Sequence, residues 1–293
     1  MSGHEVRAPA SSPADELGVV VAIARRAATL VLDAYGASDL EVAYKGPGDP
    51  VTRADRAAND LICRELARAF PEAGIVAEES AAEPGADVAV ARALARPRVF
   101  FVDPLDGTRE FLARNGEFAV MIGLCDAGRP ALGVLALPVS GEVYAGRVGG
   151  EAWWEDAAGG RAPLRVSRRR TGAEARVVAS RSHAAPLVGP LHAALGTPAP
   201  VERCGSVGVK VARLCRDLAD VYVHDGPGVK KWDSCGPEAV LAAAGGRLTD
   251  LRGAPIDYAE PELALGRGLC ATNGLLHAEI LGRVAEVGGR APR

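Results

Sequence analysis

Val99-Phe100-Phe101-Val102-Asp103-Pro104-Leu105-Asp106-Gly107-Thr108 sets four bulky apolar residues directly before two aspartates. A short apolar run of this kind reads as a buried strand, here one that delivers carboxylates at its C-terminal end. Pro104 fixes φ and Gly107 permits a tight backbone, so the acids are expected on a turn that follows the strand. Both could face one cleft. The Leu105 carbonyl, directed the same way, would add an oxygen ligand that needs no particular side chain. The competing reading is an Asp-rich loop that caps a helix, since Asp and Gly are common in turns.

The pattern recurs on either side. Gly74-Ile-Val-Ala77 delivers Glu78 and Glu79, and Asp233 opens a probable helix after Lys230-Lys231-Trp232. Four carboxylates so placed, Glu78, Asp103, Asp106 and Asp233, suit a cage for hard divalent cations such as Mg²⁺, which takes oxygen ligands at roughly 2.0–2.1 Å. Gathered without a cation, these acids would raise one another's pKa values, so the cluster implies an ion. For Asp233 a helix N-cap is the plainer alternative, and both roles can coexist.

The remaining chain reads as alternating layers. Ser12 as N-cap and Pro13 at the first helical position start a helix that Gly36 ends. A Gly/Pro-rich loop at 45–50 leads to a helix over 53–70, with Thr52 and Asp55 spaced as a capping pair and Pro71 closing it. From 118 the pattern becomes an antiparallel meander: strands at 118–125, 131–137, 142–148 and 151–154, with a turn at 128–130. Turn residues gather at 159–163. Strands at 176–179, 221–224 and 269–271 then alternate with helices at 207–218 and 237–244. This places an α+β metal-binding domain over 1–160 and an α/β substrate-binding domain over 161–293.

At 293 residues with 48% hydrophobic content, the chain can bury a real core. Its net charge of −3 argues against nucleic-acid binding by bulk electrostatics. The apolar stretch 17–32 is interrupted by Arg25-Arg26 and falls short of the ~20 residues a membrane span needs, and no signal peptide precedes it. Six cysteines, at 63, 125, 204, 215, 235 and 270, lack Cys-x-x-Cys spacing, which fits reduced thiols in the cytoplasm. A homodimer is left open.

Asp-Pro-Leu-Asp-Gly-Thr-Arg-Glu-Phe from Asp103, followed by Arg114-Asn-Gly-Glu-Phe118, closely resembles the metal signature of the inositol-monophosphatase superfamily. Lys231-Trp232-Asp233-Ser-Cys-Gly-Pro-Glu238-Ala, with the later Gly245-Gly246, is similar to that superfamily's Trp-Asp element. Asp49-Pro-Val-Thr-Arg-Ala-Asp55 and Ala77-Glu-Glu-Ser80 stand upstream in the matching order. Within the superfamily, Leu105, the Arg-Glu-Phe and Arg-Asn-Gly-Glu-Phe extensions and Gly246-Arg-Leu-Thr-Asp250 look most like the 3'(2'),5'-bisphosphate nucleotidases of the CysQ type. The resemblance spans roughly residues 15–275.

The resemblance implies an α/β layered αβαβα sandwich of the sugar-phosphatase type, with ions in a cleft between its halves. It implies two or three Mg²⁺ ions held by Glu78, Asp103, Asp106, Asp233 and the Leu105 carbonyl. Glu79 could order water or a weakly held extra ion, or could simply be exposed. Thr108 backed by Asp55 would orient the attacking water and take its proton. A purely structural capping role for Thr52 and Asp55 is the alternative, and Asp49 is a looser candidate. The amides of Gly107 and Thr108 suit the phosphate being cleaved. Ser180, His183, Ser206 and Lys210 match segments that hold the nucleotide in related enzymes; Lys210 and His183 could neutralise the phosphate that is not cleaved, with the serines donating hydrogen bonds. Solvated surface roles compete for His183 and Lys210. Arg168-Arg169-Arg170 reads as a solvated turn.

The expected activity is removal of the 3'-phosphate of adenosine 3',5'-bisphosphate, and of its sulfated form, to leave AMP. The partner is then a small phosphate ester, with neither nucleic acid nor membrane involved, and lithium is expected to inhibit. The competitors are an inositol-phosphate or sugar-phosphate phosphatase, and a non-catalytic ion or phosphate sensor on the same scaffold. P-loop and Ser-His-Asp chemistry have no support, since neither motif occurs.

Overall fold

The computed structural model describes residues 13–37, 40–46 and 49–288, and for residues 13–15, 45, 46 and 49 the backbone alone. The Ser12 cap therefore lies outside the described residues, as does the side chain of Asp49. Helix α1 (Pro13–Tyr35) is followed by a small hairpin, β1 (Ala43–Gly46) and β2 (Asp49–Val51), and by α2 (Arg53–Ala69). Strand β3 (Gly74–Ala77) leads through α3 (Glu78–Ala81) and α4 (Asp87–Leu94) to β4 (Arg98–Asp106), which pairs with β3 in parallel. After α5 (Thr108–Leu112) comes the antiparallel meander β5 (Ala119–Asp126), β6 (Arg129–Leu137), β7 (Glu142–Arg147), β8 (Ala152–Glu155) and β9 (Arg161–Pro163), completing a seven-stranded sheet in the order β3 to β9.

The second sheet has five strands in the order β11-β10-β12-β14-β13. Its elements are β10 (Val177–Ser180), α6 (Val188–Leu195), β11 (Glu202–Cys204), α7 (Val207–Cys215), β12 (Val221–His224), α8 (Lys231–Ala243), β13 (Arg247–Thr249), β14 (Leu269–Thr272) and α9 (His277–Gly288). Strand β10 pairs in parallel with β11 and β12, whereas β14 is antiparallel to both of its neighbours.

Strand periodicity sorts the core into layers. Phe100 and Val102 of β4 face α1 and α2, packing with Val20, Ile23, Ile62 and Leu66. Val99 and Phe101 face the other way, toward α7 and α8, where Val211, Leu214, Cys235 and Val240 fill the space before Tyr222 and Ala271 of the second sheet. On that sheet's outer face, Val177, Val221 and Cys270 pack with Val188 and Leu191 of α6 and Ile280 and Val284 of α9. The result is the expected αβαβα sandwich.

Helix α8 lies against its sheet closely enough to dictate sequence. A Cβ on Gly133 would stand 2.2 Å from the carbonyl oxygen of Gly236, and one on Gly123 would stand 2.2 Å from the Gly236 nitrogen. Three glycines therefore let helix backbone touch sheet backbone directly beneath the cleft.

Several boundaries differ from the sequence reading. Helix α8 starts at Lys231, so Asp233 does stand in its first turn, and it runs through Pro237, where the strand–helix alternation begins it, because burial of Trp232 and Cys235 outweighs the cost of a missing N–H. The turn expected at 128–130 is tighter, so Arg129 and Pro130 already pair in β6. Arg161–Pro163, within the turn-rich segment, pairs with β8 as the last strand, an edge position where proline is tolerated. Helix α7 stops at Cys215, and Asp217 takes a left-handed φ of 54°. All six cysteines are free; five are buried and Cys63 is half-buried. Among the described residues, no helix is long and apolar enough to cross a membrane.

Candidate active site

Asp103 and Asp106 do not sit on a turn after β4; both lie within it. Asp103 pairs with Met121 and Asp106 with Ala119, so three steps along β4 match two along β5, a bulge of one extra residue. In a regular strand, residues three apart point to opposite faces. The extra residue returns Asp106 to the side of Asp103, while the Leu105 side chain goes into the core against α1 and α2. Pro104, with no N–H to pair, suits this break. Gly107 follows at φ 98°, with Glu117 O and Phe118 filling the place of a Cβ, and it caps α5.

Asp233 comes from the third position of α8, where it accepts a hydrogen bond from the Lys230 amide at 2.5 Å, so it also serves as a cap. Carboxylate oxygens of Asp103, Asp106 and Asp233 all lie within 4.8 Å of one another. Burial, followed by the charges of Glu78, Asp106 and Asp233, pushes the Asp103 carboxyl well above its ordinary range; burial, then Asp106 and Glu78, does the same to Asp233. Glu78 opens α3 and lines the same cavity, as does Leu105, whose amide donates to Asp103 at 2.9 Å. Three carboxylates converging this closely, with a further acid in the same cavity, offer the oxygen donors that a hard metal ion takes. Glu79 is not exposed but buried behind the cage, and its charge acts on Asp55.

Asp55 uses its two oxygens for two tasks. One accepts from the Thr52 amide, at 2.8 Å, and from the Thr52 hydroxyl, completing the cap of α2. The other accepts from Thr108 Oγ1 at 3.2 Å, and that hydroxyl also lies 3.3 Å from the Leu105 carbonyl. The capping and catalytic readings thus describe the same carboxylate. Burial raises the Asp55 pKa to about 6, against the lowering effect of Thr52.

The cavity, of about 710 Å³, continues from the acids toward the second sheet, where Ser180, His183, Ser206 and Lys210 all line it. Lys210 is buried, not solvated: its Nζ donates to the carbonyls of Gly205 at 3.1 Å and Cys204 at 3.3 Å and lies 5.1 Å from the Tyr222 ring centroid. Among the described residues it has no salt bridge, so one donor of a buried ammonium remains for a ligand. Burial lowers its pKa. The Ser206 hydroxyl is already engaged, donating to Asp106 and accepting from the Val209 amide at 3.1 Å as the cap of α7. The Gly208 amide also donates to that Asp106 oxygen at 2.9 Å. Ser206 therefore positions a cage carboxylate. Ser180 and His183 stay together, Oγ to Nδ1 at 3.4 Å, with His183 exposed at the rim.

Arg109 and His224 are among the lining residues to which the sequence reading gives no role. Arg109 follows Thr108 into the cavity wall. His224, at the end of β12, is 4% exposed, and its Nε2 has no hydrogen-bond partner among the described residues. A histidine after an apolar strand carries no distinguishing signal. Arg169, in the segment read as a solvated turn, is half-buried and pairs with Asp217 and Asp220 at 2.8 and 3.5 Å.

The profile of the inositol monophosphatase family matches residues 14–288. The chain is 36% identical over 255 residues to the 3'(2'),5'-bisphosphate nucleotidase CysQ of Escherichia coli O157:H7, covering 86% of this chain and 97% of that protein. Among solved structures, the extragenic suppressor protein suhB from Bartonella henselae superposes with a TM-score of 0.76 at 27% identity, covering 92% of this chain and 98% of that one. CysQ from Bacteroides thetaiotaomicron does so with a TM-score of 0.72 at 26% identity, covering 88% and 97%.

Proposed function

The chain belongs to the inositol monophosphatase family, and from that premise we propose that it is a Mg²⁺-dependent 3'(2'),5'-bisphosphate nucleotidase, acting in the cytoplasm on adenosine 3',5'-bisphosphate and its sulfated form to leave AMP. The observation that carries this reading is the polarity of one cavity: acids at one end, and at the other a buried ammonium with no carboxylate partner among the described residues. A single phosphate needs only the first. A bisphosphate needs both.

Asp103, Asp106, Asp233, Glu78 and the Leu105 carbonyl would hold two or three ions, which when bound supply neutralisation of phosphate charge and a more acidic water. The chain's own residues do the rest. Thr108 Oγ1 accepts a hydrogen bond from the attacking water and, as it takes that proton, passes its own to Asp55, 3.2 Å away. At pH 7 and above Asp55 is mostly ionised and ready to receive it, given a pKa of about 6. Ser206 and the Gly208 amide keep Asp106 oriented, and the amides of Gly107 and Thr108, which line the cavity, would donate to the phosphate being cleaved. Lys210 takes the phosphate that stays, with Ser180, His183 and His224 beside it.

Phosphate release from adenosine 3',5'-bisphosphate, inositol 1-phosphate and a sugar phosphate, with and without Mg²⁺, tests the proposal. Fastest turnover of the bisphosphate, dependent on Mg²⁺, is expected; far faster hydrolysis of inositol 1-phosphate would reject it.

A further inference from the structure

Three charged residues of the Arg-Glu-Phe and Arg-Asn-Gly-Glu-Phe stretches that follow the cage motif, Arg109, Glu110 and Glu117, take no part in the chemistry above, yet their side chains reach segments that flank strands of the second sheet. Glu117 receives Arg181 in a fork, Nη2 at 2.6 Å and Nε at 2.8 Å, and accepts the Gly205 amide at 2.7 Å. Glu110, buried beside the cage, accepts from the Ser182 hydroxyl. Arg109 donates to the Ser182 carbonyl at 3.0 Å. Arg181 is tied in turn to the Arg203 carbonyl at 2.7 Å, and its amide to the Cys204 carbonyl at 3.0 Å. Gly205 must be glycine, because the Glu110 side chain lies 2.2 Å from where its Cβ would be.

The two gripped segments carry the far end of the cavity. Ser180 and His183 flank Arg181 and Ser182, while Cys204 and Gly205 supply the carbonyls that hold the Lys210 ammonium. We propose that Glu110, Glu117 and Arg181 are positioning residues that form a clasp setting the spacing between the carboxylate cage and the Lys210 end of the cavity, and so select substrates with two phosphates a fixed distance apart. The clasp rests on the nucleotidase reading above. It joins strand ends of the second sheet to the segment bearing Thr108, so slackening it moves the second anion site relative to the first, while Asp106 keeps its own bonds to Ser206 and the Gly208 amide. Bidentate arginine–carboxylate geometry with a third donor on the same acid is suited to fixing a distance.

Steady-state kinetics of Glu117→Gln and Arg181→Gln test this, with adenosine 3',5'-bisphosphate compared against adenosine 3'-monophosphate, which lacks the second phosphate. For the bisphosphate, KM is expected to rise about tenfold with kcat within about twofold, while both parameters for the monophosphate stay within about twofold of wild type. The double variant should be no worse than either single one. Equal losses on both substrates, or none on either, would overturn the clasp. Thermal melting reads folding separately, and Arg181, whose side chain is 45% exposed, keeps the comparison available if the Glu117 variant does not accumulate. If wild type shows no preference for the bisphosphate, the nucleotidase reading fails first and the clasp with it.

Discussion

Replacing Gly133 with alanine adds one methyl group where the sheet meets the helix that bears Asp233. The new Cβ would stand 2.2 Å from the Gly236 carbonyl oxygen, so α8 must withdraw by at least about 1 Å to reach ordinary contact at 3.4 Å. The obstacle is backbone on both sides, with no flexible side chain to fold away. Overpacking of this kind costs about 1–3 kcal/mol, a loss of several degrees in Tm for a chain of this size. Asp233 lies three residues before Gly236 on the same helix, so the cage opens with it. A misplacement of about 1 Å at a catalytic group is worth about 10²-fold in rate. Gly133→Ala should therefore lower kcat/KM by about that factor while the protein still melts cooperatively. Gly189→Ala, on α6 with nothing within 4 Å, is the matched control and should leave activity unchanged. A Gly133→Ala enzyme with wild-type kcat/KM would refute the claim that this contact places Asp233.

Asp55→Asn and Thr108→Val should each lower kcat by about 10²–10⁴-fold with little change in KM, since both remove the path for the water's proton. Wild-type kcat/KM should fall as pH drops below about 6, where Asp55 becomes protonated, and this limb should be missing from the residual activity of Asp55→Asn. Asp103→Asn removes a charge from a repelling cluster, so differential scanning fluorimetry should show a higher Tm without Mg²⁺ and loss of the stabilisation that Mg²⁺ gives wild type. His277 is buried between the hydroxyls of Thr249 and Thr272, and burial lowers its pKa from 6.5 to about 4. Its contribution is intact above pH 6.5 and is lost as pH falls toward 4, by at most about 3 kcal/mol; chemical denaturation of His277→Gln should show a flatter stability profile across that window.

The cage acids are legible in sequence because each follows an apolar run or a tryptophan at a strand or helix end, and that placement is local. Capping by Thr52 and Asp55 is legible for the same reason. The bulge in β4 is not, because one extra residue leaves no compositional mark; only pairing with β5 reveals that Asp103 and Asp106 share a face. The burial of Lys210 depends on carbonyls and a tyrosine ring that the fold delivers. The contact of Glu117 with Arg181 likewise joins segments far apart in the chain, and the burial of His224 in the cavity wall is set by the fold. Asp233 marks the first turn of α8, whereas the preference of proline for a helix N-terminus puts the start at 237, a choice that packing of Trp232 and Cys235 overrules.

The enclosure of the cysteines gives the protein a built-in stability gauge. Burial pushes the thiols of Cys63, Cys125 and Cys204 up to about 11 and that of Cys270 up to about 12, and holds Cys215 and Cys235 well above the ordinary range. Near neutral pH almost none is thiolate, the form that alkylating reagents and peroxides attack. Labelling of the five buried cysteines should thus proceed through transient opening, and the order in which they react would map which layer of the sandwich loosens first, with half-buried Cys63 as the reference for direct access.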